Sequence, residues 1–98
     1  MKRHALLTKQ IEESLPKLYS QEKLGDAAIA RVKYFTPRRG WTWYGVEYDP
    51  DERLFFGKVV GHETEMGYFS LDELEEMAQK GLVERDAYFT PKALQDCR

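Results

Sequence analysis

One cysteine, Cys97, stands a single residue from the end of this 98-residue chain. A lone thiol allows no internal disulfide, and nothing in the composition indicates an oxidising compartment. No apolar run approaches the roughly 20 residues that a membrane-spanning helix needs. Met1-Lys2-Arg3-His4 leads into only Ala5-Leu6-Leu7 before the polar Thr8 and Lys9, so neither a signal peptide nor a membrane span is expected, and a cytoplasmic location is the default. Histidine is scarce as well, with His4 and His62 alone. His62 beside Glu63 and Glu65 does not define a zinc site, because a loop histidine and a strand glutamate would have to share one face; neither histidine is expected to act in catalysis or hold metal. Ser20, Thr36 and Ser70 lack a histidine and acid at triad spacing, and no glycine-rich phosphate loop occurs. A basic excess is also missing: 15 Lys and Arg face 17 Asp and Glu, and the pI of 5.7 lies far below the range that marks nucleic-acid-binding domains.

The near balance of charge conceals a polarity along the chain. Residues 1–40 carry nine Lys and Arg against four Asp and Glu, a net of +5, whereas 41–98 carry six against thirteen, a net of −7. A compact domain interleaves its halves, so mutual attraction is the favoured account over a two-faced binding surface. The length suits one domain over 1–98, with a core that buries roughly two-thirds of the unfolded surface.

What the chain does have is aromatic residues. Ten of its thirteen lie between Tyr34 and Phe69, in short runs punctuated by glycine: Trp41-Thr42-Trp43-Tyr44, Leu54-Phe55-Phe56-Gly57 and Gly67-Tyr68-Phe69. Aromatics at this density are strand composition and predict an antiparallel sheet. Ahead of it, Thr8 caps a short helix over 9–15 with Leu7, Ile11 and Leu15 on one stripe, and Pro16 stops it. Leu18, Tyr19 and Leu24 are expected to pack beneath the following loop, and Gly25-Asp26 to turn the chain into a strand over 28–35. A second strand over 41–49 alternates Trp41, Trp43 and Gly45 against Thr42, Tyr44, Val46 and Tyr48, which calls for a layer on each side. Asp49-Pro50-Asp51-Glu52 is a hairpin turn into a strand over 54–60, and a fourth strand spans 65–69.

Ser70-Leu71-Asp72-Glu73 is a capping box, followed by a buried stripe of Leu71, Leu74, Met77 and Ala78 and a stop at Gly81. A short fifth strand is expected within 82–86. Tyr88, Phe89 and Pro91 then belong to an extended tail that packs back and ends in a frayed turn near Ala93-Leu94. The fold class is α+β: a four- to five-stranded antiparallel meander with an N-terminal helix and a helix after the fourth strand.

Several clusters carry potential chemistry. Arg38 and Arg39 beside Trp41 and Trp43 resemble a single-strand nucleic-acid surface, in which cations hold phosphates and indoles stack on bases; an ordinary solvated turn is the simpler reading. Asp49, Asp51 and Glu52, with Glu47 nearby, converge on one turn, but their spacing matches no calcium loop and solvated carboxylates account for them better. Arg85 within Glu84-Arg85-Asp86 reads as an internal clamp on the C-terminal strand rather than a recognition residue. Cys97 has no nearby base and is expected to be an exposed, inert thiol. Neither a nucleophile with its base nor a metal set emerges, so no enzyme activity, no cofactor and no metal is expected.

The segments Leu15-Pro16-Lys17-Leu18-Tyr19, Lys33-Tyr34-Phe35-Thr36-Pro37, Trp41-Thr42-Trp43-Tyr44, Leu54-Phe55-Phe56-Gly57, Gly67-Tyr68-Phe69-Ser70-Leu71 and Glu84-Arg85-Asp86, in this order, resemble an uncharacterised bacterial mobile-element family, domain of unknown function 2958. The resemblance implies a small protein carried on plasmids or phage-type elements. It transfers no catalytic residues. In that setting the chain is expected to be a non-enzymatic module that docks on a protein partner, such as a host defence complex of restriction or CRISPR type. Trp41, Trp43 and Tyr44 would be exposed anchors, with Arg38, Arg39, Asp49, Asp51 and Glu52 setting orientation. The alternative is a nucleic-acid accessory protein that uses Arg38 and Arg39 with the tryptophans. The protomer is expected as a monomer, or as a homodimer paired through an uncovered sheet face bearing Trp41 and Trp43.

Overall fold

The computed structural model describes residues 5–97. A short helix α1 (Lys9–Ser14) begins where Thr8 Oγ1 accepts a hydrogen bond from the Ile11 N–H at 3.1 Å. An irregular stretch with a 3₁₀ turn (Glu22–Ala27) leads to strands β1 (Ile29–Ala30), β2 (Val32–Phe35), β3 (Thr42–Asp49), β4 (Leu54–Val60) and β5 (Thr64–Ser70). Helix α2 (Leu71–Gln79) follows directly, capped by Ser70 Oγ, which accepts from the Glu73 N–H at 3.2 Å. Short strands β6 (Glu84–Arg85) and β7 (Lys92–Ala93) precede a last 3₁₀ turn (Leu94–Asp96). The main sheet is antiparallel in the order β5-β4-β3-β2-β6. The α+β class, the N-terminal helix and the helix after the meander therefore stand as expected. Among the described residues no helix is long and apolar enough to cross a membrane.

The strand expected over 28–35 is two strands. Around Arg31, whose N–H donates to the Gly45 carbonyl at 2.8 Å, the chain leaves β3, and β1 pairs instead with β7. Small side chains allow this: Ala28 and Ala30 are buried, and the tail lies against them through Leu94 and Cys97. The turn at Leu94–Asp96 is thus packed rather than frayed, and Cys97 is buried instead of exposed. Burial raises its thiol pKa.

A β-bulge in β3 overturns the simple alternation. Gly45 pairs with Gly57, but the next pair is Glu47 with Phe56, which leaves Val46 as an extra residue. Before the bulge Trp43 faces the helices and Tyr44 faces away; after it Tyr48 returns to the helix side, not to the face of Tyr44 and Val46. One layer of core therefore joins Leu6, Leu71, Leu74 and Val83 to Val32, Tyr34, Tyr48, Phe55 and Phe69. The other joins Tyr44 and Val46 to the tail through Leu94 and Cys97. Lys58 Nζ ties that tail down by donating to the Cys97 carbonyl at 3.0 Å. Both sheet faces are covered at least in part.

Phe55 is the centre of the helix-side core, in ring contact with Tyr34, Tyr48 and Phe69. Beside it the Tyr34 hydroxyl donates to the Leu6 carbonyl at 2.6 Å. Burial pushes the Tyr34 phenol far above its ordinary value of 10.0, and Tyr48 is raised for the same leading reason. The unfolded chain releases these protons near pH 10 while the folded chain retains them, so stability is level below that pH and declines as pH rises beyond it. Urea midpoints measured across the alkaline range should show this fall. Tyr34→Phe should flatten it, at a cost of about 1–2 kcal/mol near neutrality for the lost hydrogen bond.

Candidate functional site

The residues singled out in the sequence separate into distinct places. Arg38 and Arg39 are exposed on the β2–β3 loop, which is closed at its base by hydrogen bonds between Thr36 and Trp41. The Thr36 N–H donates to the Trp41 carbonyl at 2.9 Å, the Trp41 N–H donates to Thr36 Oγ1 at 2.8 Å, and Gly40 takes a left-handed φ of 76° to complete the turn. Trp41 and Trp43 are half-buried and stack with centroids 6.1 Å apart; Trp41 lies edge-to-face against His62 and over Gly61. A Cβ on Gly61 would come within 2.3 Å of that indole. Trp43 packs against the helix-side core, so the tryptophans do not occupy an uncovered face. Tyr44 is 2% exposed in the opposite layer and is no surface anchor, because the pleat places it one residue out of phase with Trp43.

The acidic turn lies at the other end of the sheet. Along the eight residues of β3 the separation from the arginine loop is about 23 Å. Asp51 and Glu52 are exposed, and the Asp51 N–H donates to Asp49 Oδ1 at 3.0 Å, which accounts for Asp49 as a turn former. Glu47 takes no part in that turn. No group of three or more metal-ligating side chains occurs among the described residues. Next to the turn, Arg53 joins the hairpin to α2 through Asp72 at 2.8 Å and Glu75 at 2.6 Å. Arg85 is a clamp as expected, its Nε donating to the Ala5 carbonyl at 2.8 Å from a position paired with Tyr34. His4 lies outside the described residues.

A different surface brings exposed aromatics together. The bulge turns Glu47 to the face away from the helices, where it is 3% exposed. Its carboxylate accepts from the Tyr19 N–H at 2.8 Å and the Gln21 N–H at 2.7 Å, and Tyr19 is held at a left-handed φ of 70°. Tyr19 is therefore not packed beneath the loop: it is 63% exposed and lies close enough to Tyr68 to act on its phenol. Leu24, in the same segment, is also exposed. The Tyr68 phenol is pushed up to about 12, first by the neighbouring Tyr19 hydroxyl and then by desolvation. Tyr68 stacks edge-on against Phe56 and shares its face of β5 with Met66; both are about half exposed.

Met66 and Tyr68 line one side of a seven-residue strand whose only strand neighbour among the described residues is β4. The sequence carries a signal for them, since the two residues flank Gly67 at strand spacing. It does not say which sheet face lacks a cover or which strand is the edge. Tyr19 carries no such signal, because its placement depends on a carboxylate 28 positions away.

A family model described as Protein of unknown function (DUF2958) matches residues 6–95. No curated protein and no solved structure matches the chain.

Proposed function

This chain belongs to that family, and because the family's description assigns no activity, we propose a function from the geometry: a non-enzymatic docking module that adds an extended segment of a partner protein to the open edge of β5. The observation that carries the reading is that edge. Thr64–Ser70 contains no lysine, no proline and no bulge, its one charged side chain is the acidic Glu65, and it displays Met66 and Tyr68 with Tyr19 beside them. Main-chain hydrogen bonds would supply affinity, and the aromatic side chains would supply selectivity. Glu63, just ahead of the strand, and Glu65 on it are exposed, and Glu22 acts electrostatically on Tyr68. The partner segment that fits is extended, with apolar residues alternating with Lys or Arg.

In the mobile-element setting that the resemblance implies, such a module occludes a host defence complex, of anti-restriction or anti-CRISPR type. Arg38 and Arg39 lie toward the opposite sheet edge and take no part. Hydrogen exchange with a synthetic peptide of alternating Val and Lys should show protection within residues 64–70. Met66→Lys/Tyr68→Lys, which adds like charge at two half-exposed positions, should weaken that peptide at least tenfold. Equal binding of a Val/Glu peptide, or protection of 64–70 by self-association alone, would count against this partner chemistry.

A further inference from the structure

At the far edge of the sheet, about 19 Å away across four strand spacings, a second surface gathers basic side chains. A pocket of about 530 Å³ opens between the β2–β3 loop and the end of α2. Arg38 and Arg39 line it from one side, Lys80, Leu82 and Glu84 from the other, with Pro37 at the rim. Two features hold these walls in place. The loop is closed by Thr36, which is buried. The opposite wall is set by the helix stop: the Gly81 N–H donates to the Ala78 carbonyl, the Leu82 N–H donates to the Met77 carbonyl, and Gly81 has a φ of 76°. The ladder pair Phe35 with Glu84 then fixes one wall against the other.

Three cations thus share one pocket with a single carboxylate, and among the described residues none of the three has an ion pair. All three are solvent-exposed, so their charges are free to turn toward an incoming anion. A volume in the range of small-molecule sites, about 300–1,000 Å³, exceeds what a bare phosphate fills. Glu84 adds an acceptor for a hydroxyl or amino group on the same ligand, and Leu82 and Pro37 supply apolar contact.

We infer that this pocket binds a nucleotide phosphate, with Arg38, Arg39 and Lys80 on the phosphate and Glu84 accepting from the sugar or base. The nucleotide is either free or the end of a single strand, and the binding is independent of the β5 edge.

The test titrates the full chain with adenosine monophosphate, a 5′-phosphorylated single-stranded oligonucleotide and a poly-glutamate peptide, at low and moderate salt. Binding of the mononucleotide identifies a free ligand, and binding of the oligonucleotide alone identifies a strand. In either case Arg38→Ala/Arg39→Ala should weaken binding at least tenfold with an unchanged melting temperature. For the oligonucleotide, each phosphate held should contribute a slope of about −0.7 in log K against log salt. Lys80→Ala should weaken binding less, and Glu84→Gln should alter discrimination between nucleotides rather than salt dependence. Equal affinity for poly-glutamate, no binding of either phosphate probe at low salt, or wild-type binding by the double arginine variant would each overturn the assignment.

Discussion

Gly57→Ala should strongly destabilise the central hairpin, while Gly67→Ala, at the position paired with it, should leave stability nearly unchanged. The two glycines face each other across β4 and β5, yet their surroundings differ. A Cβ at Gly57 would lie 1.8 Å from the Tyr44 carbonyl oxygen, whereas at Gly67 nothing lies within 4 Å. The obstacle at Gly57 is backbone, so no rotamer change relieves it, and the strand pair carrying the bulge must separate. Overpacking in a core typically costs about 1–3 kcal/mol, and a main-chain collision belongs at or above the top of that range. For a domain whose whole stability is about 5–10 kcal/mol, a large part would be lost. Urea denaturation followed by circular dichroism compares the two variants directly. Equal midpoints would show that β3 and β4 do not approach as closely as the bulge requires.

Glu47→Ala should cost about 2–3 kcal/mol and release the segment carrying Tyr19, with the sheet otherwise intact. Two backbone N–H groups, of Tyr19 and Gln21, would lose a charged acceptor at once. The left-handed conformation of Tyr19 is unfavourable for a residue with a side chain and persists only while something holds it. Hydrogen exchange should therefore accelerate at those two amides. Without Tyr19 as partner, the Tyr68 phenol should fall from about 12 toward its ordinary 10.0, which an alkaline absorbance titration reads. Glu47→Gln, whose amide keeps one accepting oxygen, should retain part of the effect. A loss of stability with no change in either the amides or Tyr68 would mean that Glu47 supports the bulge alone and not the exposed aromatic surface. In the docking reading, Glu47→Ala should also weaken the peptide bound at β5 without touching it.

Much of the fold is legible from local patterns, and the places where the sequence misleads have identifiable causes. The Asp49-Pro50 turn and the Ser70 capping box announce themselves because a turn residue or a cap acts within four positions of its effect. The β3 bulge has no such marker: Val46 is an ordinary strand residue, and only the mismatch between β3 and β4 makes it the extra one. Everything downstream of that insertion changes face, which is why Tyr48 joins Phe55 and Glu47 reaches the loop at Tyr19. Cys97 misleads for a related reason, since it is buried with the small Ala28 and Ala30 where β1 pairs with the tail instead of the main sheet. At the candidate sites, Arg38 and Arg39 are visible in the sequence as adjacent charges, but Lys80 and Glu84 join them only through the pairing of β6 with β2.

By itself, then, the amino-acid sequence determined the class of fold, the capped second helix and the hairpin turns, because each rests on short-range chemistry: strand composition, a capping hydroxyl, a turn former. The tertiary structure alone decided which aromatics are core and which are surface, which strand is left with an open edge, and which charges meet in one pocket. Those outcomes depend on register and on contacts between segments tens of residues apart, where a one-residue insertion reverses every side chain that follows it.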